Sequence, residues 1–523
     1  MRSLSALKNL IMSLLYELIL IVFGLIVPRM IIQTYGSEVN GLTSTITQTL
    51  SILNLLQAGA VGASIFQMFK PVAEKDYYQQ SLVLESSKRY FRKLGGIFLL
   101  LVAVAAPVMA VFTKSAEGTV SALAVWEKLV AFLILGINGS FYFFFSSWYD
   151  ILFSSNQKRF LLSVAGMVER LLYYGLLFGV LLLKLHFLWM YVVVLMASCV
   201  RVAFLHALYC KHFKANLVKV TPDKDFKIPN RGYLLINQIS AQSADALPVL
   251  IISYATSGGF VSASIYGVYN LVQNMIKMVV RTLQTSISEV FGNLVVSADD
   301  KRISRVYNLL EFAFFLGAAV LCCCAAFLFM PFIYLYTDGN SLDVSYMFPA
   351  LAVLMVLYSM IYCMYMPCYT LTNVYGLFKE TWLPALISAA VAAVASVGLA
   401  LLYWPCAVLA PVFFYTGMMI TRLYTAEKRI PWFRLGSFFR RLLAVVILVA
   451  ASAVLSHVMF GEGQFAVSGW GSWIVYAAIF GVLLAVVMGV YIVLFERSAA
   501  KGLFGYAKRL IAKKLGKNKT PVK

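Results

Sequence analysis

Apolar runs of about 18–28 residues recur along the whole chain, separated by short segments that hold most of the charge. About 20 consecutive apolar residues are enough for a helix to cross a hydrocarbon core about 30 Å thick. The pattern predicts spans near 11–33, 41–69, 94–112, 128–153, 161–183, 187–209, 232–254, 262–295, 307–332, 346–372, 382–403, 405–424, 442–460 and 471–496, about fourteen in all. The expected fold class is therefore an all-α polytopic membrane protein. The basic, then apolar, N-terminus has the look of a signal peptide. Glu17 interrupts its apolar run and no small-x-small cleavage site follows, so it is read as the first membrane helix.

Composition agrees with the pattern. The 523 residues are 61% hydrophobic and only 12% charged, against about 25% charged in a soluble domain. The net charge of +21 would suggest a nucleic-acid partner on a soluble protein. Its distribution argues otherwise. With the N-terminus inside, the alternate segments 70–93, 154–160, 210–231, 296–306, 373–381, 425–441 and the two ends hold 34 of the 43 Lys and Arg. The outer segments hold three (Lys114, Lys128 and Lys184), and six lie within spans. One helix too many or too few would invert every later loop and erase this bias, so the charge supports the span count and places both termini in the cytoplasm. No outer loop exceeds about 15 residues.

The basic segment 211–231 reads as a linker between two halves. The division is 1–210, a six-helix bundle; 211–231, the linker; 232–424, a second six-helix bundle; 425–496, two additional helices; and 497–523, a basic tail. A weak repeat supports it: Gly41 precedes Lys75 by the same interval that separates Gly267 from Lys301. Repeated halves commonly enclose a central site in secondary transporters. In the tail, Leu503, Ala507, Leu510, Ile511 and Leu515 share one helical face and Lys508, Arg509, Lys513, Lys514 and Lys517 surround the other, a pattern that suits anionic lipid.

Polar residues inside the spans carry the candidate chemistry, because a cation at the bilayer centre costs about 2.5–3.5 kcal/mol on insertion scales. In the eighth span Asn270, Asn274, Lys277, Arg281, Gln284 and Ser288 follow steps of 4, 3, 4, 3 and 4 and draw one stripe. Lys277 and Arg281 repel at i,i+4, and Asp245 and Glu289 are the available counter-charges. The stripe either lines a cavity and binds an anion or joins an ion-pair network with Asp245 that only holds helices together. Asn54 in the second span and Arg29 beside Pro28 in the first are further cavity candidates. Asp245 in the seventh span, followed by Pro248, and Glu17 are candidates for coupling to an ion. Glu169–Arg170 reads equally as a structural pair, and Arg422 as a snorkelling end residue. The eight cysteines and four histidines show no metal-ligand spacing, so neither a metal nor a cofactor is expected.

The stretch GLIVPRMIIQTYGSEVNGLTSTITQTLSILNLLQAGAVGASIFQMFKPVAEKDY (24–77) resembles the opening of bacterial polysaccharide-export flippases of the O-antigen type. Gly36, Glu38, Gly41, Leu42, Gly59 and Gly62 carry the match. The resemblance implies membership of the superfamily of multidrug exporters, oligosaccharide-lipid exporters and peptidoglycan-precursor flippases. It implies two bundles around a cation-lined cavity, plus two extra C-terminal helices. It also implies alternating access that moves an undecaprenyl-diphosphate-linked oligosaccharide from the inner to the outer leaflet of the bacterial cytoplasmic membrane, for surface polysaccharide assembly. The expected partners are that glycan lipid, anionic lipids at the basic inner loops and tail, and a glycan polymerase or other assembly protein, with no nucleic acid. A cation-coupled multidrug exporter of the same superfamily is the alternative. A membrane enzyme and a non-transporting component of glycan assembly fit less well: the outer loops are too short for a catalytic domain, and a scaffold needs no intramembrane charge.

Overall fold

The computed structural model describes residues 2–57, 60–113, 123–156, 158–214, 217–218, 220–221, 231–297, 299–337, 344–461, 469–497 and 500–502. The basic tail beyond 502, most of the 211–231 linker and the side chain of Glu289 lie outside the described residues. Helices dominate throughout. Twelve helical stretches among the described residues are long and apolar enough to cross a membrane, and the chain is a multi-pass membrane protein. Large apolar side chains face outward on many of them, among them Val394, Leu402 and Val482. That is the expected surface of a protein whose solvent is lipid.

The first two predicted spans form one continuous element, α1 (Arg2–Leu53), which turns at Gly36. Gly36 has φ 85° and ψ 172°, a conformation essentially closed to residues with a Cβ. The expected single helix over 41–69 is broken: α1 ends in a 3-10 turn at Asn54–Gln57, and α2 begins at Ala60 and ends at Glu74. The segment 70–93, expected as a loop, is largely helical. Asp76 accepts a hydrogen bond from the Gln79 amide at 3.0 Å and caps α3, which runs Tyr77–Phe112. Gln80, Leu84, Ser87, Phe91 and Leu94 then bury one face at helical spacing.

The fourth predicted span is α4 (Val125–Phe141), a π-turn over Tyr142–Ser146, and α5 (Ser147–Ser155). Then follow α6 (Arg159–Leu182), α7 (Leu188–His212), α8 (Arg231–Ala255) and α9 (Gly259–Ser297). The helix α9 is the eighth predicted span and is not among the twelve apolar stretches; its polar stripe lowers its hydropathy. The chain continues with α10 (Asp300–Tyr336), α11 (Pro349–Val374), α12 (Phe378–Leu402), α13 (Leu409–Arg429), α14 (Leu435–Ser456) and α15 (Trp470–Phe495). The fourteen predicted segments thus reappear as the two arms of α1 and the later helices, with two of them interrupted.

The helices group into two compact units, the boundary falling inside α9. The first draws on Met1–Leu271 and Ala393–Ala410, the second on Val272–Ser341, Ser345–Ala392 and Pro411–Lys523. In the first unit α1 packs against α6 and α8, and α4 against α3 and α7. Lipid supplies no hydrophobic drive between helices, so close approach and hydrogen bonds must hold them together. Gly41 permits the approach: a Cβ there would lie 1.8 Å from the Phe260 carbonyl oxygen. Three polar contacts follow along the same helix of α1, Asn40 Nδ2 to Ser264 Oγ at 2.8 Å, Thr45 with Ser253 at 2.6 Å and Gln242 Nε2 to Ser51 Oγ at 3.1 Å.

In the second unit α10 packs against α11, α14 and α15. A buried charge cluster ties α10, α14 and the end of α15 together. Arg441 of α14, fully buried, donates to Glu496 just after α15 at 2.9 and 3.1 Å, to Asn308 Oδ1 at 2.7 Å, and pairs with Glu311 of α10 at 3.2 Å. Arg440 reaches the same Glu496 at 2.6 Å from a half-exposed position.

Candidate functional site

The polar stripe of α9 meets a column of tyrosines on α11. Tyr358, Tyr362, Tyr365 and Tyr369 follow steps of 4, 3 and 4, so they stack along one face. All four are on a helix whose central residues are buried. Lys277 is buried and donates from Nζ to the Tyr358 hydroxyl at 2.6 Å. The same ammonium lies 5.1 Å from the Tyr358 ring centre and 5.4 Å from that of Tyr362. One turn on, Arg281 donates from Nε to the Tyr362 hydroxyl at 2.9 Å and remains exposed. Just before Lys277, Gln273 accepts a hydrogen bond from Ser359, also buried.

Tyr415 of α13 closes the column from the other side. Its ring stacks on Tyr358 with centres 6.0 Å apart and meets Tyr362 and Tyr365 at 5.1 Å each. Arg422, two turns along α13, sits 4.9 Å over Tyr369 and donates to Thr372 and to Asn373 Oδ1 at 3.3 Å. It is 2% exposed. The expectation that Arg422 snorkels to a membrane surface is therefore corrected: its guanidinium is held inside the second unit by phenol faces and side-chain oxygens. Three cations thus line one tyrosine column, and phenol hydroxyls and ring faces replace part of the hydration each cation loses.

The other expected residues are placed as follows. Gln284 donates to Ser288 Oγ at 2.8 Å along α9, so these two stripe members engage each other. Asn274 is exposed. Asn270, Asn54, Arg29, Glu17 and Asp245 belong to the first unit and are all half-buried. Glu169 pairs with Arg201 of α7 at 3.2 Å and accepts from Ser198 at 3.2 Å, so its ion pair reaches the next helix.

The tyrosine column was missed from the sequence, and Arg422 was placed at a span end without its partners, although the signal of the column was present. The run Tyr-Ser-Met-Ile-Tyr-Cys-Met-Tyr-Met-Pro-Cys-Tyr at 358–369 carries the same 4, 3, 4 steps that singled out α9. Aromatic residues at helical spacing read as ordinary apolar packing until a charged stripe is found beside them.

No protein-family model matches the sequence, and no curated protein matches it. Solved structures do match the fold. A multidrug resistance MATE family transporter of the MOP superfamily, in an inward-facing conformation, aligns with TM-score 0.61 at 13% identity over 84% of this chain and 96% of its own. The lipid II flippase MurJ, in an inward closed conformation, aligns with TM-score 0.61 at 14% identity over 92% and 99%. The MATE multidrug transporter DinF-BH, solved as a ligand complex, gives TM-score 0.54 at 14% identity over 84% and 95%. The chain has the fold shared by MATE transporters and MurJ.

Proposed function

We propose that the protein is a flippase that carries an undecaprenyl-diphosphate-linked oligosaccharide from the cytoplasmic to the outer leaflet by alternating access, for surface polysaccharide assembly. One observation carries the reading: the stripe of α9 brings Lys277 and Arg281, one turn apart, onto the hydroxyls of Tyr358 and Tyr362 within the second unit. Two adjacent cations suit a diphosphate, and the exposed Asn274 on the same stripe suits sugar hydroxyls. An apolar cavity of about 770 Å3 between α10, α11 and α14, lined by residues such as Phe329, Met330, Val353 and Val449, suits part of a polyprenyl chain. The fold is also that of a lipid flippase.

The same reading carries the expectations made from sequence. The chain would lie in the bacterial cytoplasmic membrane with both ends inside, its division into 1–210, 232–424 and 425–496 would serve two transport halves and an appendix, and Asp245 or Glu17 would couple transport to an ion. It would work without enzymatic chemistry. The cation-coupled drug exporter is the second reading; the fold shared with multidrug MATE transporters favours it.

The test is transport in proteoliposomes. A fluorescent polyprenyl-diphosphate glycan should be flipped by the native chain, and Lys277→Ala with Arg281→Ala should reduce flipping at least tenfold. Full flipping by the double variant removes the anion site. Accumulation of a fluorescent lipophilic cation, with no glycan flipping, establishes the exporter instead. An Asp245→Asn variant that keeps its full dependence on an imposed proton or sodium gradient removes Asp245 as the coupling residue.

A further inference from the structure

Far from α9 in sequence, one end of the first unit holds a second concentration of basic side chains. A cavity of about 260 Å3 opens there between the α2–α3 turn, the α5–α6 turn and the end of α7. At about 30 Å3 per water it holds roughly eight waters, room for one phosphate group and part of its hydration. Lys75, Lys158 and His212 line it together with Gln80 and Asn156. No Asp or Glu is among the lining residues.

Three separate stretches of chain bring these bases together. Lys75, just after α2, has φ 56°, a left-handed conformation that few residues other than glycine adopt. The turn is closed by the Asp76 amide donating to the Pro71 carbonyl at 2.9 Å. Gln80, almost fully buried, braces the same carbonyl from Nε2 at 3.0 Å. Lys158 lies 4.6 Å over the Phe213 ring, which holds its ammonium at the cavity. Asn156 donates to the Leu152 carbonyl at 2.9 Å and so fixes the α5–α6 turn. The carboxylate nearest in sequence, Asp76, accepts from the Gln79 amide at the start of α3, and Glu74 is exposed.

We propose that this pocket binds a phosphate group, carried by an anionic phospholipid or free in solution. Lys75 follows the C-terminus of α2 and His212 is the last residue of α7, where the carbonyl dipole favours a cation, whereas Lys158 caps the N-terminus of α6, where the dipole favours an anion. Three helix ends thus meet around one polar space. Cations confined at the rim of a small cleft focus a positive field into it, and an anion relieves their repulsion. The segment 70–93 and residues 154–160 and 210–231 all fall on the side that the charge bias assigns to the cytoplasm, where anionic headgroups attract basic clusters between helices. The pocket would therefore tie the bottom of the first unit to the membrane surface, independently of what the protein transports.

The test uses the purified full chain in nanodiscs, where both faces are open to solvent. Thermal midpoints are compared in phosphatidylcholine, in phosphatidylcholine with phosphatidylglycerol, and in phosphatidylcholine with inorganic phosphate against chloride at matched ionic strength. Ligand binding raises the midpoint in proportion to the logarithm of ligand over dissociation constant. A rise with phosphatidylglycerol alone identifies a lipid headgroup, and a rise with inorganic phosphate identifies the soluble anion. In either case Lys75→Gln with Lys158→Gln should weaken the apparent affinity about thirtyfold. Arg92→Gln with Lys93→Gln, the same charge change on the exposed face of α3, should leave it unaltered. If the lysine pair does not fold, His212→Gln alone should weaken the affinity measurably. No rise with either ligand, or equal weakening in both pairs, overturns the pocket.

Discussion

Removal of the Arg441 side chain tests the energetic account of the second unit. Arg441 is fully buried, and its partners Glu311 and Glu496 are 2% and 3% exposed. Arg441→Ala would leave two carboxylates without their shared cation. Breaking a buried ion pair by removing one partner costs about 3–5 kcal/mol, because the remaining charge is stranded. Arg440 provides the internal comparison: it meets the same Glu496 at 2.6 Å, yet its side chain is half exposed. Exposed pairs contribute about 0–1 kcal/mol. Arg441→Ala should therefore be destabilised by at least about 2 kcal/mol more than Arg440→Ala.

Thiol labelling during thermal unfolding in detergent reads this directly. Cys322, Cys323, Cys363 and Cys368 are buried in α10 and α11, while Cys199 and Cys210 are exposed and define the baseline. The four buried thiols should react at a clearly lower temperature in Arg441→Ala than in Arg440→Ala. Removing the charges together, as Arg441→Met, Glu311→Leu and Glu496→Leu, should restore most of the loss, since no charge is then stranded. Coincident transitions for the two single variants would refute the account.

Three further outcomes are expected. Burial alone would raise the Glu496 carboxyl, but the hydrogen bonds and charges of Arg441 and Arg440 outweigh it and hold the group below the ordinary carboxylate value of 4.5. Its stabilising contribution is therefore complete above that value and is lost as pH falls through the lowered one; the thiol-labelling midpoint should drop over that acid range in the native chain and less steeply in Glu496→Gln. Tyr362→Phe keeps the ring but removes the hydroxyl that accepts from Arg281; on the proposed function, glycan flipping should change by about tenfold, the worth of one charge-assisted hydrogen bond of about 1.5 kcal/mol, and an unaltered rate separates that contact from transport. Gly41→Leu should fail to give folded protein in detergent, because even its Cβ falls 1.8 Å from the Phe260 carbonyl; Gly24→Leu, where a Cβ meets nothing within 4 Å, is the control.

The number and succession of membrane helices were written in local pattern. A run of about 20 apolar residues needs no partner to declare itself, since the bilayer rather than the rest of the protein is its counterpart. The α9 stripe was legible for a related reason: polar residues at helical spacing must avoid lipid wherever the helix packs. Local pattern also misled in two places. The polar segment 70–93 has the composition of a loop, but the Asp76 cap and the spacing of its buried face make it a helix that continues into α3. Gly36 turns α1 by a backbone conformation that a hydropathy profile does not record.

The partners of each charge were decided by tertiary structure alone. Lys277 and Arg281 meet hydroxyls more than 80 residues away, Arg422 meets oxygens about 50 residues away, and Arg441 meets carboxylates of two other helices. Spacing along one helix states which residues share a face. It does not state which face of which other helix lies opposite, because that depends on packing contacts summed over the whole bundle. Threading assigned Arg441 to a cytoplasmic boundary, and packing turned the same residue into a buried clamp.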